Sequence, residues 1–359
     1  MTSRERVIAA LSHREADRTP IFEYYFTGEA AAKFLLRPFA GDDDVFTGLA
    51  RAQGFDRALS TRARDILDLA LLLRHDMLYV VPNPCAPVAE PEEKHTVEAP
   101  SAESVMETDP VEEVRRRPPP SPPPLECFEI YRRLKVQMDE RGVDLPILAP
   151  AYAHGVWTDT ALMQTMLLEP ALAHAYFEGR TEAASFMVKT YAQLGIDMAG
   201  VGGDFAGNRG PIISPESYEK FIVPEVRKVA RLAHQLGMKT VDASDGNLWP
   251  VIDQFLTGCE VDGYIEIDAG AGMDLALLKA RFGAKITFFG NLDCGRVLSF
   301  AKPDEIRRQV KTCLTDGLGS GGHILCASNA ITASIPIDNY LAITEEYRHF
   351  FGLEPLRLA

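Results

Sequence analysis

Six acids and amides stand where short apolar runs end: Asp204, Asp245, Glu266, Asn291, Asp293 and Asn329. Carboxylates gathered in one place hold a divalent cation or move protons, because burial and mutual repulsion raise a carboxyl toward neutrality. Asp204, Asp245 and Glu266 are therefore the candidate catalytic residues. Asp245 and Glu266 are also candidate metal ligands, since paired oxygens suit several divalent ions. Glu266 has the strongest claim, because an acid inside the apolar run GYIEID is expensive unless it is paired or functional. Asn291, Asp293 and Asn329, with Tyr24, His154 and Trp157 beside other run ends, are the candidate substrate-binding residues. Structural roles compete with these: Asp245 precedes GNLWPVI, a good helix start, and a lone histidine such as His154 serves packing as often as chemistry.

For these side chains to meet, the runs that carry them must end on one face. IFEYYF, MLYVVP, PILAPAY, DMAGVGG, KTVDAS, GYIEI, ITFFG and HILCAS read as eight strands with helical patterns between them. Parallel strands need such crossovers, and their C-terminal ends emerge together. The pattern predicts an α/β fold, a single (β/α)8 barrel over residues 1–359 with N-terminal helical decoration. An open doubly wound sheet is the alternative, but no Gly-rich phosphate turn follows an early strand. GLGSGG at 317–322 matches GxGxxG in letters only, since it follows a helix and precedes a strand. Alternation sets Met198, Gly200, Gly202 and Asp204 on one side and Ala199 and Val201 on the other. In GYIEID it sets Tyr264, Glu266 and Asp268 together, against Ile265 and Ile267, which aims the glutamate into the barrel.

Residues 83–125 break the pattern with PNPCAPVAEPEEKHTVEAP and RRRPPPSPPPL. Proline removes backbone donors and fixes φ, so no regular helix or central strand is expected there. A surface excursion is expected, and a lid over the active face is its sharper form. With 37 Lys and Arg against 51 Asp and Glu, the net charge of −14 repels phosphate backbones and anionic membranes. Neither nucleic acid nor membrane is an expected partner. The opening MTSRERVIAALSHREADRTP lacks an apolar signal core, no run is long enough to span a bilayer, and a cytoplasmic location is expected. Six cysteines at irregular spacing do not make a disulfide framework.

MTSRERVIAALSHREADRTP, GDFAGNRGPIISPESYEKFIVP, SDGNLWPVI, AGAGMDLALLKARFG and FFGNLD resemble, in order, blocks of the uroporphyrinogen decarboxylase superfamily, which includes corrinoid-dependent methyltransferases. The resemblance covers nearly the whole chain outside the Pro-rich stretch and implies a (β/α)8 barrel. True uroporphyrinogen decarboxylases carry Arg-Gln-Ala-Gly-Arg after the first strand, where its arginines hold the porphyrinogen carboxylates. FEYYFTGEAAAKF stands there instead, which disfavours that substrate. The methyltransferases hold zinc through His-x-Cys, a Glu about a strand later and a late Cys. The matching positions are Ala243-Ser244-Asp245, Glu266 and the neighbourhood of Asn329, so only the glutamate is kept. Asp242 is a further oxygen donor, and Cys326 lies three residues from Asn329, on the opposite face of a regular strand. The resemblance thus implies methyl transfer from a small methylated substrate, an aryl methyl ether or a methylamine, to a corrinoid on a partner protein. In that reaction Glu266 and Asp245 hold a divalent metal, zinc in the family, or protonate the leaving atom. A decarboxylase or lyase acting on a smaller acid through Asp204 is the alternative, and a ligand-binding barrel without turnover is a third.

Overall fold

The computed structural model describes residues 1–86 and 109–356, so the 87–108 part of the Pro-rich stretch lies outside the described residues. Nine short strands occur among them: β1 (Leu78–Tyr79), β2 (Ile147–Pro150), β3 (Met198–Val201), β4 (Ala206–Gly207), β5 (Gly210–Pro211), β6 (Lys239–Ala243), β7 (Gly263–Ile265), β8 (Thr287–Phe289) and β9 (His323–Ile324). Seven form one curled sheet in the order β1-β2-β3-β6-β7-β8-β9, parallel at every pairing. β4 and β5 make a separate antiparallel hairpin. The sheet is buried on both faces, as parallel sheets with helical crossovers are. Its concave face collects Leu148, Met198, Val241, Ile265, Phe289 and Ile324. Its convex face carries Ala199, Val201, Tyr264 and Phe288 into the larger helix-covered core.

The expected first strand, IFEYYF, forms only isolated parallel bridges, Ile21 with Leu325 and Phe26 with Ile331. The reason lies at Glu23: the Ala327 N–H donates to its side-chain Oε2 at 3.0 Å, where a ladder would offer a backbone carbonyl. On one side Phe22 N donates to Leu325 O at 3.1 Å; on the other Asp76 N donates to Ile21 O at 2.7 Å. The segment therefore touches β9 and the residues just before β1.

Helix Ser3–Leu11 begins with a capping box. Thr2 Oγ1 accepts from Glu5 N at 3.2 Å, and Glu5 Oε2 accepts from Thr2 N at 2.8 Å. It ends at Leu11, and His13 beyond it turns to a positive φ of 52°. Val7, Ala10 and Leu11 enter the concave cluster from below. Ala10 O accepts from Gly322 N at 3.0 Å and from Thr287 Oγ1 at 3.2 Å. Beside this plug the buried Asp76 accepts from Arg6 at 2.7 Å, Arg18 at 2.6 Å, Ser3 at 2.9 Å and Ile21 N at 3.0 Å.

Contrary to the expectation for the Pro-rich stretch, a helix runs at Pro110–Arg116. Proline is harmless there because it sits in the first turn, where its N–H would have no helical partner, and Asp109 caps Val111 N at 2.9 Å. Arg117 then pairs with Asp159 at 2.7 Å and 2.9 Å. The prolines after it wall a cleft of about 480 Å³ shared with Tyr152, Tyr176, Arg180 and Met187. Among the described residues no helix is long and apolar enough to cross a membrane.

Candidate active site

The C-terminal ends of β3, β6 and β7 bring the acids together. After β3, Gly202 and Gly203 adopt φ of 76° and 137°, and a Cβ on Gly202 would stand 1.9 Å from Asp242 Oδ1. Only glycine allows both that backbone and that approach. Asp204 follows at the mouth, and its backbone carbonyl accepts from Val156 N at 2.8 Å and Trp157 N at 3.0 Å, which ties the loop after β2 to it.

On β6, Val241 and Ala243 face the concave cluster. Asp242 therefore lies on the convex side, where burial pushes its carboxyl well above the usual range and leaves Oδ2 without a partner. The helix-start role expected of Asp245 belongs instead to Asn247, whose Oδ1 accepts from Trp249 N at 3.1 Å. That frees Asp245 for the cavity, where it accepts from Asn329 Nδ2 at 3.4 Å. Burial, then Asp204 and Asp268, push Asp245 up to about 6.

β7 corrects the parity argument for GYIEID. Ile265 lies in the concave cluster, whereas Tyr264 and Ile267 pack in the convex core. Glu266 reaches the other acids because the strand ends at Ile265 and Glu266 itself turns to φ 69°. For a residue with a Cβ that backbone is uncommon and re-aims the side chain. Burial, then Asp204, Asp245 and Asp242, push its carboxyl up to about 8. At pH 7 it holds its proton.

Three tyrosines adjoin the glutamate. Tyr24 and Tyr79 have ring centroids 4.3 Å apart, and both pack with Tyr152 against the concave cluster. Burial raises all three phenols, with Glu266 among the lesser causes. The Tyr152 hydroxyl is buried without a hydrogen-bond partner. Sequence reasoning misses Tyr79 and Tyr152, although each lies in an apolar run, MLYVVP and PILAPAY, that reads as a strand.

Asp245, Asp293 and Asn329 line one cavity of about 430 Å³ with Asp268, Cys294 and Arg296. Asp293 is occupied there as a helix cap, accepting from Arg296 N at 2.9 Å and Nε at 3.2 Å. Asn291 lies apart, in a cleft of about 280 Å³ with Met273, Gln309 and Cys313, and its Nδ2 donates to Met273 O at 3.2 Å. His154 is fully buried, with Nε2 2.9 Å from Thr181 Oγ1, which in turn donates to Glu225 at 2.7 Å. Burial, then Arg180 and Lys228, hold its imidazole down at about 3. Trp157 is 48% exposed, its ring lying against Gly207 of the hairpin.

Among the described residues no three His, Cys, Asp or Glu side chains converge as a metal-holding group. The positions matching the zinc ligands offer carboxylate and amide oxygens, and Cys326 is packed in the concave apolar cluster. That donor set does not fit a thiolate-imidazole zinc site.

The family described as Uroporphyrinogen decarboxylase (URO-D) matches residues 146–350. A uroporphyrinogen decarboxylase of Synechocystis sp. is 24% identical over 183 residues, 50% of this chain and 48% of that protein. One of Thermus thermophilus is 27% identical over 177 residues, 49% of this chain and 48% of that protein. The chain thus spans about half the length of the curated relatives it matches. A methyltransferase from Methanosarcina mazei superposes with a TM-score of 0.67 over 98% of this chain and 99% of its own, at 16% identity, which is a likeness of fold. With more than half its length matched by the family's own pattern, the chain belongs to the uroporphyrinogen decarboxylase (URO-D) family.

Proposed function

We propose that the protein is a methyltransferase that moves a methyl group from a small methylated substrate, an aryl methyl ether or a methylamine, to a corrinoid carried by a partner protein in the cytoplasm. The observation that carries this reading is the Glu266 carboxyl, pushed up to about 8 among buried acids and beside three tyrosines. The oxygen or nitrogen that loses the methyl group is a poor leaving group and needs a proton. Glu266 holds one at neutral pH and gives it to the leaving atom, and Asp245, up to about 6, is the ionised group that orients the substrate. The partner's corrinoid supplies the nucleophile that accepts the methyl group. Tyr24, Tyr79 and Tyr152 give the substrate an apolar wall and keep water from the proton donor. No step is routed through a zinc held by thiolate and imidazole, since the matching positions lack those ligands.

The bridge from Ile21 to β9 and the bond from Asp76 to Ile21 support closure of the sheet into a (β/α)8 barrel, with Glu266 at its upper end. Decarboxylation of a multiply charged acid is less favoured. The cavity offers Asp245, Asp268 and Asp293 against one guanidinium among its described lining residues, Arg296, already engaged by Asp293.

The test is a methyl-transfer assay with reduced corrinoid protein supplied and a panel of aryl methyl ethers and methylamines. Glu266→Gln is nearly isosteric, so the expected outcome is loss of turnover by roughly a hundredfold or more with unchanged folding. Normal turnover in that variant, or release of CO2 in place of methyl transfer, ends the proposal.

A further inference from the structure

Two cysteines stand outside the site and take no part in the mechanism above. Cys85 is exposed and Cys127 is buried, both are free thiols, and their sulfurs lie 2.9 Å apart. That is under an ångström beyond the roughly 2.05 Å of a disulfide bond. The backbone around them is held independently by the buried Asn83. Its N–H donates to Cys127 O at 2.8 Å, its Nδ2 to Pro84 O at 2.9 Å and Glu126 O at 3.2 Å, and its Oδ1 accepts from Ile130 N at 3.0 Å. The segment after β1 and the turn before helix Glu129–Glu140 are thus stapled together, and small movements of two side chains suffice to join the sulfurs.

We propose that Cys85 and Cys127 form a reversible disulfide, a thiol-modification site that clasps the two ends of the Pro-rich stretch. The initiating thiol is Cys85, because it is exposed, whereas burial and then Cys85 push the Cys127 thiol up to about 12. The Cys85 thiolate attacks one sulfur of a small disulfide such as oxidised glutathione and expels one glutathione thiolate. Cys127 then loses its proton to water and attacks the Cys85 sulfur of the mixed disulfide, expelling the second glutathione. Two protein thiols give up two protons and two electrons, and the glutathione disulfide is reduced to two thiols. The bond joins positions 42 residues apart in sequence and encloses the prolines that wall the Tyr152 cleft.

This site does not depend on the proposed methyl transfer. The experiment uses the full-length protein, reduced, freed of reductant and equilibrated with oxidised glutathione, then alkylated and digested without reduction. The expected product is a cross-linked Cys85–Cys127 peptide, lost on treatment with dithiothreitol. Cys85→Ser should leave Cys127 as an unmodified thiol, and Cys127→Ser should trap glutathione on Cys85. Wild-type protein that carries only glutathione on Cys85, keeps both thiols free, or cross-links either cysteine elsewhere overturns the assignment.

Discussion

At the scale of single residues, Glu266 titrates at about 8 in the folded chain against an ordinary 4.5. The folded state then binds the proton more tightly than the unfolded state. The stability this contributes is complete below pH 4.5, declines as pH rises toward 8, and is gone above. Glu23, which burial also pushes up to about 8, adds a second slope of the same sign. Between pH of about 7 and 9, above the window in which the depressed His75, His154 and His323 give the opposite slope, melting temperature should therefore fall, and fall less in Glu266→Gln, which a pH series of thermal melts will check. The turnover rate of the wild type should decline above pH of about 8, as the proton donor ionises. His154 answers differently. Its bond to Thr181 lies inside the core, so His154→Ala should cost roughly 1–3 kcal/mol in urea unfolding while turnover per folded molecule stays unchanged. A large loss of turnover at full folding would return His154 to the site. The rule that a parallel sheet collects its strand ends groups Asp204 and Asp245, and Glu266 joins them through its positive φ of 69°. Asn291 obeys that rule in sequence but spends its amide on Met273 O, a local bond that spacing does not reveal.

At the scale of elements, Asp159 serves two structures at once. It caps helix Thr160–Leu168 by accepting from Leu162 N at 3.0 Å and holds Arg117 at the end of Pro110–Arg116. Asp159→Ala should cost about 1–2 kcal/mol, the worth of a good cap, readable as a lower urea midpoint. If the midpoint stays put, the helix start is held by something else. That helix Pro110–Arg116 was hidden by a correct rule applied one position too broadly, since proline forbids helix interiors and favours first turns. β7 shows the same sensitivity. Period-two reasoning across GYIEID placed Tyr264 with Glu266, and the strand stops between them, so the glutamate reaches the acids through its positive φ. A glutamate side chain in IFEYYF similarly took over a ladder position that aromatic and β-branched composition had assigned to backbone.

At the scale of the whole molecule, Asp76 joins the plug helix, the Arg18 segment and the start of β1. Asp76→Ala should leave two guanidiniums without their shared partner and cost about 3–5 kcal/mol, measured as a drop in melting temperature. An unchanged melt would show that Asp17, which accepts from Arg6 Nε at 2.7 Å, and the Tyr347 hydroxyl, which accepts from Arg18, suffice to hold the two guanidiniums. The order of strands and helices was legible because each crossover repeats one local grammar. Joining the two edges was not, since it depends on Ile21, Leu325 and Asp76, three residues far apart in the chain. The plug at Ser3–Leu11 carries this into time. The helix hydrogen-bonds through Ala10 to Gly322 and to Thr287 of β8, far along the chain. Its apolar face belongs to one cluster with Phe22, Met77, Leu148, Met198, Val241 and Phe289, so its partners are spread along the chain. Contacts of such long sequence separation make folding slow, and until they form the lower side of the sheet stays uncapped and open to chaperone capture or aggregation.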